Sequence, residues 1–149
     1  MDTTDRIELA KQLSKHFHKG QKYGEHDYYT YHILGVVKTL ELVAKEVTED
    51  MIIVALLHDI LEDTTCSLGT LENIFNLNIC NAVLRLSNIT MHDYSSYIEY
   101  VLGHGVARVV KYADSLFNYQ ECMMSGDVKR AERYQRNLDA LHSKELFKC

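Results

Sequence analysis

The chain has 149 residues, no proline, seven glycines and 46% hydrophobic residues, a length suited to one domain over residues 1–149 and a composition that favours an all-α bundle over sheets and tight turns. Its formal charge of −5 disfavours general binding to nucleic acid, and no apolar run is long enough to span a bilayer. Cys66, Cys80, Cys122 and Cys149 show no C-x-x-C spacing and read as free thiols, and the acidic start Met1 to Glu8 has no apolar secretory stretch, so a cytosolic setting is expected.

Residues 5 to 17 carry Ile7, Leu9, Ala10, Leu13 and Phe17 on one stripe with charge opposite, which predicts a first helix. The segment His16 to Tyr31 is different, with two glycines, three histidines, two lysines and four tyrosines and no period. Its centre, residues 19 to 30, reads as a loop. Tyrosines that stack and lysines that meet phosphates suit a planar, anionic ligand, and the same composition also fits a solvated loop with its tyrosines folded onto the core. Helix two is expected from Tyr31 to Glu46, with Ile33, Val36, Val37, Leu40 and Val43 inward and His32 at its start.

The apolar run Met51 to Leu57 leaves no polar face, so a helix here must be covered on nearly all sides. Thr48 as N-cap with Glu49 and Asp50 in the first turn favours helix over buried strand, and the helix is expected to reach Leu61. His58 and Asp59 are adjacent, about 100° apart on a helix, so both reach one ion only near a helix end. Glu62 and Asp63 follow one turn later. Carboxylates crowded in this way repel one another unless a cation or a substrate group compensates; a frayed, solvated acidic helix end is the other reading.

Leu68 to Phe75 and Ile79 to Leu86 read as two shorter helices, residues 87 to 93 as a polar connection, and Tyr94 to Leu102 as a helix ended by Gly103 and Gly105. Val106 to Met123 carries the stripe Val106, Val109, Val110, Ala113 and Phe117 with Asp114 flush against it. A carboxylate there needs a partner, either a metal or Lys111 at i+3. The tail from Gly126 to Phe147 reads as a charged amphipathic helix with Val128, Ala131, Leu138, Leu141 and Phe147 inward and Arg130, Arg133 and Arg136 among its cations, and it looks structural.

The order His32, then His58-Asp59, then Asp114 resembles the HD phosphohydrolase superfamily. The finer resemblance is to the hydrolase domain of the RelA/SpoT-type alarmone enzymes, above all its small stand-alone members, the metazoan SpoT homologues. It is carried by His18-x-x-Gln21, Tyr29-x-x-His32, Ala55-Leu-Leu-His-Asp-x-x-Glu-Asp-Thr64, Tyr94-x-x-Tyr97-Ile98 and Val110-Lys-x-Ala-Asp-x-x-x-Asn118. The resemblance implies an HD-type helical bundle in which His32, His58, Asp59 and Asp114 ligate one divalent ion, in that family typically Mn2+. Two imidazoles and two carboxylates without thiolate agree with a borderline-to-hard ion. It further implies hydrolysis of the 3′-pyrophosphate of ppGpp or pppGpp by a metal-activated water, with Glu62 and Asp63 orienting that water and moving its proton.

On the same basis Asn118 would contact the sugar, Tyr29 and the 19–31 loop would border the base, and Lys22 and Lys111 would meet the substrate. The expected partner is thus a small nucleotide, neither nucleic acid nor membrane. The chain departs from the family at Lys22, where arginine is usual, at Ile33, where proline is usual, and at Ser115, where a basic residue is usual. These positions bear on base and phosphate contacts, so adenosine alarmones, NADPH-like substrates or another nucleotidase activity stay open. A nucleotide-binding module without turnover is the reading from a different class.

Overall fold

A computed structural model describes residues 3–88 and 93–148, with the side chains of residues 3 and 4 left aside. Among these residues the chain is almost wholly helical. Helix α1 spans Thr3–Phe17, a hairpin pairs β1 (Lys22–Tyr23) with β2 (His26–Asp27), and a π-helical segment, Tyr28–Ile33, runs into α2 (Leu34–Val43). Then follow α3 (Glu49–Leu57), α4 (Ile60–Asp63), α5 (Leu68–Glu72), α6 (Leu77–Leu86), α7 (Tyr94–Leu102), α8 (Gly105–Ser125) and α9 (Val128–Leu141).

The all-apolar helix is the hub. Thr48 caps α3 by accepting the Met51 amide at 3.2 Å, and Ile53, Val54, Ala55, Leu56 and Leu57 are wholly buried. Helices α1, α2, α6 and α8 pack around it, which is the covering that a helix with no polar face requires. Each large side chain so buried contributes about 1.5–3 kcal/mol of hydrophobic stabilisation. Helices α8 and α9 form the largest helix pair. Their turn closes at Gly126, whose φ of 80° is a left-handed cap that a side chain would strain.

Four expectations are corrected. The helix from Met51 to Leu61 breaks after Leu57, because the chain turns at His58 and Asp59 before α4 begins. The loop over residues 19 to 30 is a two-stranded hairpin, turned at Gly24 with φ 61°, and the start of the π segment. Helix two therefore starts at Leu34, and His32 sits in the wider π turn that precedes it. The last helix is shorter than Gly126 to Phe147: it stops at Leu141, and buried Phe147 returns as an isolated bridge to Ala44. Val128, expected inward, is 61% exposed.

Helix α7 coincides with its expected span. Cys66, Cys80 and Cys122 are free and buried. Cys149, Met1, Asp2 and residues 89 to 92 of the polar connection lie outside the described residues. No helix among the described residues is long and apolar enough to cross a membrane.

Candidate functional site

Ending α3 at Leu57 leaves its last carbonyls without intrahelical partners, and that of Ala55 accepts the Nδ1–H of His58 at 2.6 Å. A carbonyl can only accept, so the proton of the neutral ring is fixed on Nδ1 and Nε2 presents a lone pair. Nε2 is buried and no described group meets it with hydrogen-bond geometry, although Asp59 Oδ2 lies 3.1 Å away and Asp114 Oδ1 3.5 Å away. Asp59 itself stands at φ −104°, ψ 0°, the sparsely populated bridge region.

From the opposite side the π segment brings in His32, whose Nε2 is 3.1 Å from Asp114 Oδ1 and 3.5 Å from Asp59 Oδ2. The two imidazole nitrogens and two carboxylate oxygens thus alternate in a closed ring with edges of 3.1 and 3.5 Å. Neighbouring ligands that share an ion at about 2.1 Å stand about 3.0–3.4 Å apart. Donor atoms of His32, His58 and Asp59 all lie within 4.8 Å of one another; Asp114 falls outside that mutual distance yet touches both imidazoles. Such a hard-to-borderline donor set, with Nε2 of both imidazoles aimed inward, fits a divalent cation.

The charges agree with this fit. Burial disfavours charged imidazoles, but the carboxylates outweigh it and hold His32 above, and His58 well above, the ordinary value. Burial would likewise raise the two carboxylates. The His58 and His32 imidazoles instead hold Asp59 low, and Lys111 with the same imidazoles holds Asp114 well below the usual range. Lys111 Nζ is 3.4 Å from Asp114 Oδ2, and Asn118 Nδ2 donates to Asp114 Oδ1 at 3.2 Å. Lys111, one of the two partners expected of Asp114, is therefore at hand on Oδ2, while Oδ1 faces the imidazoles and Asn118.

A cavity of about 400 Å³ opens over the ring, lined also by Glu62, Asp63, Tyr23, Tyr28, Tyr94, Lys111, Asn118, Arg130, Arg133 and Tyr134. Burial and the nearby Asp59 charge push the Glu62 carboxyl up, while Glu62 Oε1 accepts the Asn88 amide at 3.3 Å. Asp63 Oδ2 accepts from Gln21 Nε2 at 3.2 Å, and Gln21 Oε1 accepts from His18 Nδ1 at 2.7 Å. A carboxylate only accepts, so this chain of bonds fixes both the amide and the imidazole proton.

Six of the expected residues besides Asp114 and His58 gather here: His32, Asp59, Glu62, Asp63, Lys111 and Asn118. Two do not. Lys22 lines an adjoining cavity of about 470 Å³ with Glu25, His26, Glu121, Cys122 and Ser125, which shares Tyr23 and Arg130 with the first. Tyr29 is buried and lines a separate hollow with Gln12, Lys15 and His18, while its neighbour Tyr28 faces the cavity over the ring. Sequence reasoning passed over Tyr23, Tyr28, Arg130, Arg133 and Tyr134. The Arg130–Tyr134 spacing of four was the available signal, since it sets a cation and a phenol on one face of α9.

A curated relative, guanosine-3′,5′-bis(diphosphate) 3′-pyrophosphohydrolase of Drosophila melanogaster, is 24% identical over 116 residues, which cover 74% of this chain and 65% of the relative's length. A solved structure described as a metazoan ortholog of SpoT that hydrolyzes ppGpp superposes with a TM-score of 0.76, covering 93% of this chain and 86% of its own at 22% identity. The shared feature is the helical fold just described. A family model of the HD domain matches residues 10–97, more than half of the sequence and including the His32 and His58-Asp59 segments, and the chain accordingly belongs to the HD domain family.

Proposed function

We propose that this protein is a divalent-metal-dependent hydrolase that cleaves the 3′-pyrophosphate from guanosine alarmones, releasing pyrophosphate and leaving GDP or GTP. The observation that carries the reading is the four-atom ring of His32, His58, Asp59 and Asp114 beneath a cavity that also holds Glu62, Asp63 and three cationic side chains. The fly relative bears the name of this activity, and the structural neighbour is described as hydrolysing ppGpp.

In this reading the ring holds one ion, which the family resemblance makes Mn2+, and when bound it supplies Lewis acidity toward water and phosphoryl oxygens. Glu62 takes up the proton of the attacking water, its carboxyl raised by burial and by the nearby Asp59 charge. Asp63, held by Gln21, orients that water. Lys111, Arg130 and Arg133 meet the phosphates, and Arg presents the planar fork that suits them. Asn118 contacts the ribose. The base lies toward the adjoining cavity of Lys22 and Tyr23 rather than against Tyr29. The protein acts as one domain in the cytoplasm on a small nucleotide.

The test is a product assay on a panel of guanosine and adenosine 3′-pyrophosphates, NADPH and deoxynucleotides with added Mn2+. Pyrophosphate release from ppGpp above all other substrates supports the reading. Turnover of NADPH or an adenosine alarmone in preference would replace the substrate, and turnover of none would replace the enzyme by a binding module.

A further inference from the structure

The two histidines of the ring are held in different ways. A ligating histidine ordinarily donates its second ring nitrogen to a carbonyl or carboxylate, which fixes tautomer and orientation. His58 does so through Ala55. His32 does not: its Nδ1 is buried and finds no hydrogen-bond partner among the described residues. Its ring is instead enclosed by aromatic faces. Tyr23 stacks on it at 5.1 Å and 10°, Tyr28 lies tilted at 4.9 Å, and Phe117 meets it edge-on at 5.0 Å and 78°.

The same two tyrosines reach past His32 to the carboxylates. The Tyr28 hydroxyl donates to Asp59 Oδ2 at 2.5 Å, the very oxygen that faces both imidazoles. The Tyr23 hydroxyl donates at 2.7 Å to Asn118 Oδ1, and Asn118 Nδ2 in turn donates to Asp114 Oδ1. A carboxylate and an amide oxygen only accept, so each hydroxyl is the donor. One ring face and one hydroxyl on each tyrosine therefore act on an imidazole and a carboxylate together.

We infer that Tyr28 and Tyr23 are positioning residues of the metal centre, with their rings replacing the hydrogen bond that His32 lacks and their hydroxyls fixing Asp59 directly and Asp114 through Asn118. The inference rests on the reading of the ring as a metal centre. It adds that the centre's affinity and geometry depend on two phenols supplied by the hairpin and the π segment. Tyr31 provides an internal comparison. It comes from the same segment and packs on Tyr23, but its hydroxyl donates, at the same 2.5 Å, to the Glu121 carboxylate, which is not a member of the ring.

The experiment titrates metal-free protein with Mn2+ and with Co2+, following bound ion and the Co2+ visible spectrum, for wild type, Tyr28→Phe, Tyr23→Phe and Tyr31→Phe. Loss of a group that supports a ligand typically costs 10–100-fold in metal affinity. Tyr28→Phe, which keeps the ring, should lose about tenfold or more and shift the Co2+ bands. Tyr23→Phe, acting through Asn118, should lose less, and Tyr31→Phe should match wild type. Circular dichroism of the metal-free forms checks that each is folded, and if Tyr28→Phe is not, the Tyr23→Phe result decides alone. Wild-type affinity and an unchanged Co2+ spectrum in the folded Tyr28→Phe or, failing that, in Tyr23→Phe overturn the inference, as does an equal loss in Tyr31→Phe. Absence of ion uptake by wild type would overturn the metal-centre reading itself, an outcome distinct from these.

Discussion

Replacing Lys111 by Met removes a buried charge while keeping most of the apolar stem. Lys111 Nζ stands 3.4 Å from Asp114 Oδ2, with side chains only 16% and 9% exposed. At that separation the attraction is about 5 kcal/mol for an effective dielectric constant near 20. Part of it is offset by the cost of burying the ammonium, and breaking a buried pair by removing one partner costs about 3–5 kcal/mol. Asp114 keeps His32 Nε2 at 3.1 Å and the Asn118 amide at 3.2 Å, which argues for the lower end, about 3 kcal/mol. For a chain of this size that lowers Tm by roughly 6–12 °C. Thermal melts of wild type and Lys111→Met in chelator read this directly. With Mn2+ bound, the cation compensates Asp114 in place of the ammonium, so the gap should shrink by about half or more. Equal melting temperatures in chelator, within about 1 °C, would refute the reasoning about the pair. A deficit that Mn2+ leaves unchanged would refute the placement of Asp114 at the ion.

Glu62→Gln and Asp63→Asn should each lower kcat on the best substrate by roughly a hundredfold or more while leaving metal stoichiometry at the wild-type level; near-normal kcat in both would remove the proton-handling role. Arg133→Ala and Arg130→Ala should raise KM with little change in kcat, since both reach the cavity from α9 without touching the ring, and steady-state kinetics showing unchanged KM would return these arginines to a structural role. Metal uptake should release protons at pH 7. In the metal-free protein His32 and His58 are held above the ordinary histidine value by the carboxylates, so they remain protonated to higher pH than free histidine. Affinity is then full above the raised value and is lost as pH falls through it. Titration calorimetry in two buffers of different ionisation enthalpy measures this, and equal heats in the two buffers would contradict it.

How legible the site was depends on how far each part is local in sequence. Met51 to Leu57 announces a covered helix because a run without a polar residue has one physical solution, and α3 is packed on all sides as that demands. His58 and Asp59 at its end were equally plain. The break between them and α4 was not, because no glycine or proline marks it. Residues 19 to 31 have no period, and absence of period does not separate a loop from a short hairpin followed by a π turn. Hence Tyr29 stood in for Tyr28 and Tyr23, whose bonds run to Asp59 and to Asn118, 95 positions away in the second case. Arg130 and Arg133 read as part of a structural helix for a related reason. Cations on the polar side of an amphipathic helix look alike in sequence whether they face bulk water or a cavity belonging to another helix.

The break after Leu57 also sets a limit on how far this chain can be stabilised. A regular helix through Asp63 would satisfy more backbone groups and would be the natural target of a consensus or helix-capping design. It would also remove the turn that holds Asp59 at φ −104°, ψ 0°, and with it the directions from which the His58 and Asp59 side chains approach one another at 3.1 Å. Thermostability and the placement of these two side chains therefore compete for one turn. Variants selected only for resistance to heat should drift toward a straighter α3–α4 junction and a weaker centre.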